Sequence, residues 1–290
     1  MKKYLLLILP LIFSLFYGCS SQSKDSLKPK VLVSIPPYIY FVEKIAGDFV
    51  SVSSLAPEGS NPHLFEPNPR QIQDVYDSKV WIRLGESFEK KIASTLSYHH
   101  KNLIVVNLSE TVPLLRQEAE HKCKCHHHEE AMDLHIWMSP SLAKLQAAAI
   151  KDALLQAFPD QEENFLKNFA ILVDELDQLH IAISKKLAPF KNQSLIVSHP
   201  AFGYFCEEFG LKQISIEVEG KDPRPKDIEK VVETSTHSCA RLVLIQEQYN
   251  NKGALAIAEK LQLPWYSVDP YSKDYPKTLN DITYQLSLAQ

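Results

Sequence analysis

Residues 161–187 read QEENFLKNFAILVDELDQLHIAISKKL, and their apolar side chains recur at the spacing of an α-helix. The apolar positions are Phe165, Phe169, Leu172, Val173, Leu176, Leu179, Ile183 and Leu187. At a rise of 1.5 Å per residue, this stretch forms a helix of about 40 Å. Because that is longer than one small domain needs, we predict that residues 159–188 form a single helix that joins two domains.

The sequence on both sides of this helix alternates short apolar runs with amphipathic stretches. Residues 31–35, VLVSI, and residues 195–197, LIV, are two of the predicted strands, and each is followed by a helical pattern. Strands that alternate with helices pair in parallel through right-handed crossovers. We therefore predict an α/β fold of two lobes, each with a mainly parallel sheet, joined by one long backbone α-helix. The predicted lobes span residues 31–158 and residues 189–290.

The amino terminus is typical of a secretory signal. Residues 1–18 combine a basic start, an apolar run and a small residue, Gly18, placed directly before Cys19. The apolar run is too short to span a bilayer, which takes about 20 helical residues. We predict that residues 1–18 are removed, that Cys19 is lipidated, and that residues 19–30 form a polar tether. The protein is then exported, to the periplasm or the outer face of the membrane; the alternative is an ordinary secretory signal with an incidental cysteine.

The composition excludes several classes of protein. The 290 residues are 45% hydrophobic and 23% charged, which excludes an intrinsically disordered chain. A formal net charge of −4 gives no indication of a nucleic-acid partner. The sequence contains neither G-x-G-x-x-G nor G-x-x-x-x-G-K, so no motif supports nucleotide chemistry.

Three histidines and one aspartate lie in predicted loops, mostly at the carboxyl ends of strands, where open α/β sheets bind ligands. They are His63, His135, His199 and Asp269. Taken singly, a histidine after a strand is more often a hydrogen-bonded surface or core residue, and an aspartate before proline is commonly a turn or cap residue. Taken together, the four come from both halves of the chain, at the edge where two lobes would face each other. They predict a closed, tetrahedral metal site that suits zinc.

Residues 121–130, HKCKCHHHEE, form a second concentration of metal-binding side chains. The candidate ligands are His121, Cys123, Cys125, His126, His127 and His128. This composition suits transition metals, but C-x-C followed directly by three histidines lacks the spacing of a folded zinc knuckle. We predict a flexible loop with weak multiple sites that raises the metal concentration near the main site. The alternative is a solvated loop without a role. Two further cysteines, Cys206 and Cys239, lie outside this loop and are either free thiols or a disulfide.

Short motifs occur along the whole mature chain. They are Pro36-Pro37 after the first strand, N-P-H-x-F-E-P around His63, D-x-H-x-W at residues 133–137, SHPAFGYF at residues 198–205 and Asp269-Pro270. With the lipidation signal at Cys19, they resemble the zinc/manganese substrate-binding lipoproteins of ATP-binding-cassette (ABC) importers. A histidine-rich insert just before D-x-H-x-W is a feature of the zinc-specific members.

This resemblance implies two lobes joined by a backbone helix, with the metal in the cleft between them. It implies that His63, His135, His199 and Asp269 are the ligands, with Glu247 as a reserve candidate. Manganese-preferring members tend to carry glutamate where His199 stands, so zinc is favoured, with manganese and iron as alternatives. The implied partners are an ABC permease and its ATPase in the membrane. We expect a monomer that is held at the membrane by its lipid anchor and binds no nucleic acid.

The function that follows is high-affinity capture of a divalent transition metal and its delivery to the permease, without catalysis. One competing hypothesis is a secreted zinc hydrolase with Asp269 or Glu66 as its base, but no H-E-x-x-H or other hydrolase motif is present. Another is a metal-buffering adhesin in which the loop at residues 121–130 matters more than the cleft. A fourth protein ligand would favour binding over hydrolysis, because a filled shell leaves no water to activate.

Overall fold

The computed structural model describes residues 28–99, 102–116, 132–217 and 223–289. The predicted signal segment, Cys19 and the loop at residues 121–130 lie outside the described residues. The described chain forms two α/β lobes, each built on a four-stranded sheet whose strands are all parallel. The predicted fold class is therefore confirmed.

The amino-terminal lobe has the strand order β2-β1-β3-β4. Its elements are β1 (Lys30–Val33), α1 (Pro37–Ala46), β2 (Ser51–Ser54), α2 (Pro69–Tyr76), β3 (Val80–Arg83), α3 (Ser87–His99) and β4 (Ile104–Asn107). The central strands β1 and β3 are almost entirely buried, as expected of a parallel sheet that is covered on both faces. Proline begins α1 and α2, where its missing N–H costs no hydrogen bond, and Asn68 caps α2 in a capping box with Gln71.

The carboxyl-terminal lobe repeats this order as β6-β5-β7-β8. Its elements are β5 (Ser194–Val197), α6 (Gly203–Phe209), β6 (Lys212–Ser215), α7 (Pro225–His237), β7 (Ala240–Ile245), α8 (Lys252–Leu261), β8 (Trp265–Ser267) and α9 (Tyr275–Leu288). In each sheet the second strand lies on one side of the first, and the third strand lies on the other. Such a reversal opens a crevice at the carboxyl ends of the strands, which is where ligands bind in α/β sheets.

Two helices connect the sheets, α4 (Pro140–Ala157) and α5 (Glu162–Leu187). Helix α5 has 26 residues and contacts α1 of the amino-terminal lobe, α4, and α9 of the carboxyl-terminal lobe, so it joins the lobes. One buried apolar cluster includes residues of both β1 and β5. No helix within the described ranges is both long enough and apolar enough to cross a bilayer. Cys206 is buried and Cys239 is exposed, and both are free thiols.

A buried polar contact links α4 to the chain segment before it. Gln146 of α4 is fully buried; its Nε2 donates to the carbonyl of Ile136 at 2.9 Å, and its Oε1 accepts from the Tyr38 hydroxyl at 2.7 Å. Since Ile136 directly follows His135, this contact fixes the segment that carries one predicted metal ligand.

We expect Gln146→Leu to lower the free energy of unfolding by about 2 to 4 kcal/mol, because it leaves the Tyr38 hydroxyl and the Ile136 carbonyl buried without partners. The matched control is Gln156→Leu at an exposed position of the same helix, with an expected effect within about 0.5 kcal/mol. Urea unfolding followed by circular dichroism measures both variants. Equal losses in the two would contradict a structural role for the buried amide.

Candidate metal centre

The carboxyl edges of the two sheets position three histidines. His63 follows β2 in a single turn of 3₁₀ helix, Pro62–Leu64, whose amino end is capped by Asn61: its Oδ1 accepts from His63 N at 3.0 Å. His199 directly follows the end of β5, and His135 lies in the segment that leads into α4. The first lobe thus supplies His63 and His135, and the second supplies His199.

These three side chains, here called the histidine cluster, converge. The ring centroids of His63 and His135 are 5.5 Å apart, those of His63 and His199 are 5.0 Å apart, and those of His135 and His199 are 5.3 Å apart. One ring nitrogen from each lies within 4.8 Å of the other two. His135 and His199 are buried, whereas the side chain of His63 is 32% exposed. Small ring movements bring three nitrogens at such distances into the first shell of one cation.

A carboxylate two residues earlier in the chain orients His135. Asp133 Oδ1 lies 2.7 Å from His135 Nδ1 and also accepts from His135 N at 2.9 Å. An acceptor at Nδ1 requires the proton to be there, so Nε2 carries a free lone pair. The segment is held further by Tyr204, whose hydroxyl donates to the carbonyl of Asp133 at 2.8 Å.

His199 is oriented in the same way by a carboxylate that follows the neighbouring strand. Glu217 follows β6, and its Oε2 lies 2.6 Å from His199 Nδ1. The His199 ring stacks on Tyr249 with centroids 4.3 Å apart, and its Nε2 is buried with no hydrogen-bond partner among the described residues. Burial lowers the pKa of His199 to about 4, with Glu217 opposing the shift and the other two imidazoles adding to it. The His199 ring is therefore neutral at physiological pH and can offer the lone pair of its Nε2 to a metal.

His63 pairs with Glu86, which comes shortly after β3. Glu86 Oε2 lies 3.5 Å from His63 Nδ1, and the glutamate side chain is almost fully buried. Burial alone would lower the pKa of His63, but the hydrogen bond and charge of Glu86 raise it above its ordinary value. The pKa of Glu86 is lowered, because His63 outweighs the opposing effect of burial. Glu89 fixes this loop by accepting from the backbone N–H of Leu84 at 2.9 Å and of Gly85 at 2.7 Å.

Three carboxylates that no sequence pattern pointed to as partners of the histidines complete a common arrangement. Glu86, Asp133 and Glu217 each face Nδ1 of one histidine, and such partners fix the tautomer of a metal-binding imidazole and raise its basicity. Asp133 was visible as the first residue of D-x-H. Glu86 and Glu217 each closely follow a strand, but nothing in their spacing from His63 or His199 shows which imidazole they meet.

The group of side chains whose ligand atoms lie within 4.8 Å of one another contains the three histidines and, among the described residues, not the predicted fourth ligand, Asp269. Its Oδ1 accepts from Tyr271 N at 2.9 Å and from Gln248 Nε2 at 2.8 Å, so it shapes the turn after β8. Burial raises the pKa of this carboxyl group. The reserve candidate, Glu247, is also outside the cluster; its Oε1 accepts from the Ser267 hydroxyl at 3.3 Å.

The turn that Asp269 shapes presents a tyrosine to the histidine cluster. Tyr271 is buried, and its hydroxyl lies 2.9 Å from His135 Nε2 and 3.3 Å from His63 Nε2. Its ring lies 5.3 Å from that of Trp137, whose Nε1 donates to the carbonyl of Pro270 at 2.9 Å. Aromatic side chains thus close the cleft around the imidazoles.

The chemistry of this donor set fits a transition metal. Imidazole nitrogens suit zinc, copper, iron and nickel, whereas manganese and magnesium favour oxygen ligands. Zinc accepts nitrogen at about 2.0 to 2.1 Å in a tetrahedral arrangement. Three histidines also occur in catalytic zinc sites, so this geometry alone does not separate capture from hydrolysis.

Comparison with known proteins distinguishes metal capture from hydrolysis. The ZnuA family model, described as zinc-uptake complex component A, periplasmic, matches residues 31–289. A putative metal-binding protein of Chlamydia trachomatis is 30% identical over 269 residues, which are 92% of this chain and 94% of the relative. The zinc-binding lipoprotein AdcA of Streptococcus pneumoniae is 29% identical over 232 residues, which are 78% of this chain and 46% of AdcA.

The solved structures agree with these sequence matches. A crystal structure of ZnuA superposes with a TM-score of 0.81 at 30% identity, and the match covers 90% of this chain and 99% of that one. The family supplies the periplasmic binding component of a metal importer and is not an enzyme, which removes the hydrolase hypothesis. The chain therefore belongs to the ZnuA family of periplasmic zinc-uptake components.

Proposed function

We propose that this protein captures zinc between its lobes with His63, His135 and His199 and delivers it to an ABC permease. The observation that supports this most is the convergence of three ring nitrogens within 4.8 Å, each on a ring whose Nδ1 faces a carboxylate. Such pairs leave Nε2 available to a cation. The relatives add that AdcA is described as zinc-binding and that the family serves zinc uptake.

Zinc is favoured over manganese and iron by the donor atoms. The histidine cluster offers nitrogen ligands and no carboxylate oxygen among the described residues. Manganese prefers carboxylate, carbonyl and water ligands, and zinc binds a given nitrogen site more tightly than iron(II). A titration in which manganese or iron displaces zinc at equal concentration would overturn this assignment.

The metal can be released for delivery because its proposed ligands come from both lobes. His63 and His135 come from one lobe and His199 from the other, so a tilt of one lobe against the other removes a ligand. Helix α5 lies against both lobes, which limits the tilt to small movements. Docking on the permease, with ATP hydrolysis by its partner ATPase, then supplies the energy for release.

The membrane anchor and the loop at residues 121–130 complete the proposal. Gly18-Cys19 supports lipidation of Cys19, and the relative AdcA is described as a lipoprotein. The loop has the composition of a weak metal collector, and Arg116 and Met132 on either side of it pair in an antiparallel bridge. A loop whose ends are joined in this way leaves the fold on either side of it intact when it is shortened.

We expect His199→Ala to weaken zinc binding about a hundredfold, because it removes one of three ligands. The measurement is a competition titration of the mature protein against a chromophoric chelator strong enough to report only the tight site. His237→Ala, at an exposed position at the end of α7, is the matched control and is expected to bind like the unmutated protein. Unchanged affinity in His199→Ala would refute the site.

Glu217→Gln is expected to weaken zinc binding about tenfold, because it keeps a hydrogen-bonding group beside His199 Nδ1 but removes the charge that makes the imidazole more basic. Glu207→Gln, on the exposed face of α6, controls for the loss of one negative charge. The same titration applies. A loss of equal size in both variants would show a general electrostatic effect in place of ligand orientation.

Deletion of residues 121–130 is expected to lower the number of zinc ions bound per chain to one and to leave the affinity of the tight site unchanged. Elemental analysis after dialysis gives the stoichiometry, and competition titration gives the affinity. If the tight site weakens with the deletion, the loop contributes a ligand to it and the separation of loop from cleft is wrong.

A further inference from the structure

The hydroxyl of Tyr271 lies where two histidine nitrogens meet. It is 2.9 Å from His135 Nε2 and 3.3 Å from His63 Nε2, and the side chain is 1% exposed. Tyr271 belongs to the carboxyl-terminal lobe, and both nitrogens belong to the amino-terminal lobe. The bond from Tyr271 N to Asp269 Oδ1 fixes its backbone. The contact is therefore built into the fold and joins the lobes at the site itself.

The positions of the protons follow from the carboxylates. Asp133 Oδ1 lies 2.7 Å from His135 Nδ1, so that nitrogen carries the proton and His135 Nε2 carries a lone pair. In the neutral form of His63, whose Nδ1 faces Glu86, the proton is likewise on Nδ1 and the lone pair on Nε2. Tyr271 is then the donor, with one proton shared between two acceptors. A cation needs the same two lone pairs. The tyrosine hydrogen bond and the metal–nitrogen bonds are mutually exclusive.

We propose that Tyr271 is a positioning residue that competes with the metal: it holds His135 and His63 together in the metal-free protein and gives up their lone pairs when zinc binds. This inference rests on the proposed zinc-capture function. Its consequence is that the hydroxyl lowers zinc affinity and, by returning to the nitrogens, assists release. A tyrosine that ligates zinc would have the opposite effect on affinity.

The test compares Tyr271→Phe with Tyr275→Phe in the intact mature protein. Tyr275 is a matched control, since it is also buried and its hydroxyl has no hydrogen-bond partner among the described residues. We expect Tyr271→Phe to bind zinc about three- to tenfold more tightly and to release it more slowly, since one competing hydrogen bond is gone. We expect Tyr275→Phe to match the unmutated protein in both measurements.

Two spectra separate this role from a ligand or a purely structural role. The cobalt(II) electronic spectrum is expected to be the same in Tyr271→Phe and the unmutated protein, because the phenol is outside the first shell. Zinc added to the unmutated protein, which needs no variant to fold, is expected to perturb tyrosine absorption without a phenolate band. A changed cobalt spectrum or a phenolate band would overturn the proposal by making Tyr271 a ligand. Weaker zinc binding with an unchanged cobalt spectrum would overturn it by making the role of Tyr271 purely structural.

The remaining outcomes are also decisive. Equal zinc affinity in Tyr271→Phe and the unmutated protein would show that the hydroxyl does not compete, and this inference alone would fail. An unmutated protein that binds no zinc in the competition titration would instead refute the proposed function on which the inference rests.

Discussion

The site depends on one constraint, the convergence in a largely buried cleft of three imidazoles with few hydrogen-bond donors to serve their nitrogens. Buried polar atoms without partners cost free energy, and several together cost more in a medium of low dielectric constant. Each ring is held in this arrangement by a carboxylate that faces its Nδ1. The carboxylates set the tautomers of the neutral rings, and in the proposed function a divalent cation binds to the Nε2 atoms. Nε2 of His199, buried with no hydrogen-bond partner among the described residues, shows the constraint most directly.

The strand order of the parallel sheets brings two of the histidines next to their carboxylate partners. His63 follows β2 and Glu86 follows β3, and both strands pair with β1. His199 follows β5 and Glu217 follows β6, and these strands pair directly. Since parallel strands end at the same edge, the pairing that forms each sheet also brings an imidazole to its carboxylate. Only the pair of His135 and Asp133 is local in sequence.

The limits of prediction from sequence follow the same division between local and distant contacts. Alternating strands and helices, and the long apolar repeat at residues 161–187, fix the fold because they are periodic patterns. The three histidines were found from their places near strand ends. Asp269 is predicted as a ligand because it shares such a place; in the structure its carboxylate accepts from the backbone N–H two residues later, a contact that aspartate in turns commonly makes. Glu86 and Tyr271 could not be assigned, since their contacts depend on how loops from different strands or lobes meet.

The three proposed ligands are not held with equal strength, and this bears on how a cation enters and leaves. The segment around His135 is tied to the opposite lobe by Tyr204, whose hydroxyl bonds to Asp133, and by Trp137, whose Nε1 bonds to Pro270. Moving His135 would break both hydrogen bonds together with aromatic packing. His63 stands in a short turn, its side chain is 32% exposed, and the adjacent Leu64 is 81% exposed.

A shift of the turn at Pro62–Leu64 therefore removes one ligand at little cost, whereas a wide opening of the lobes would have to disrupt the shared core beside α5. A site that loses His63 keeps two nitrogens, which hold zinc far more weakly than three. In the proposed function, local motion at the most exposed ligand therefore adds to the small lobe tilt, and the joining helix is compatible with transport because neither movement needs a wide hinge.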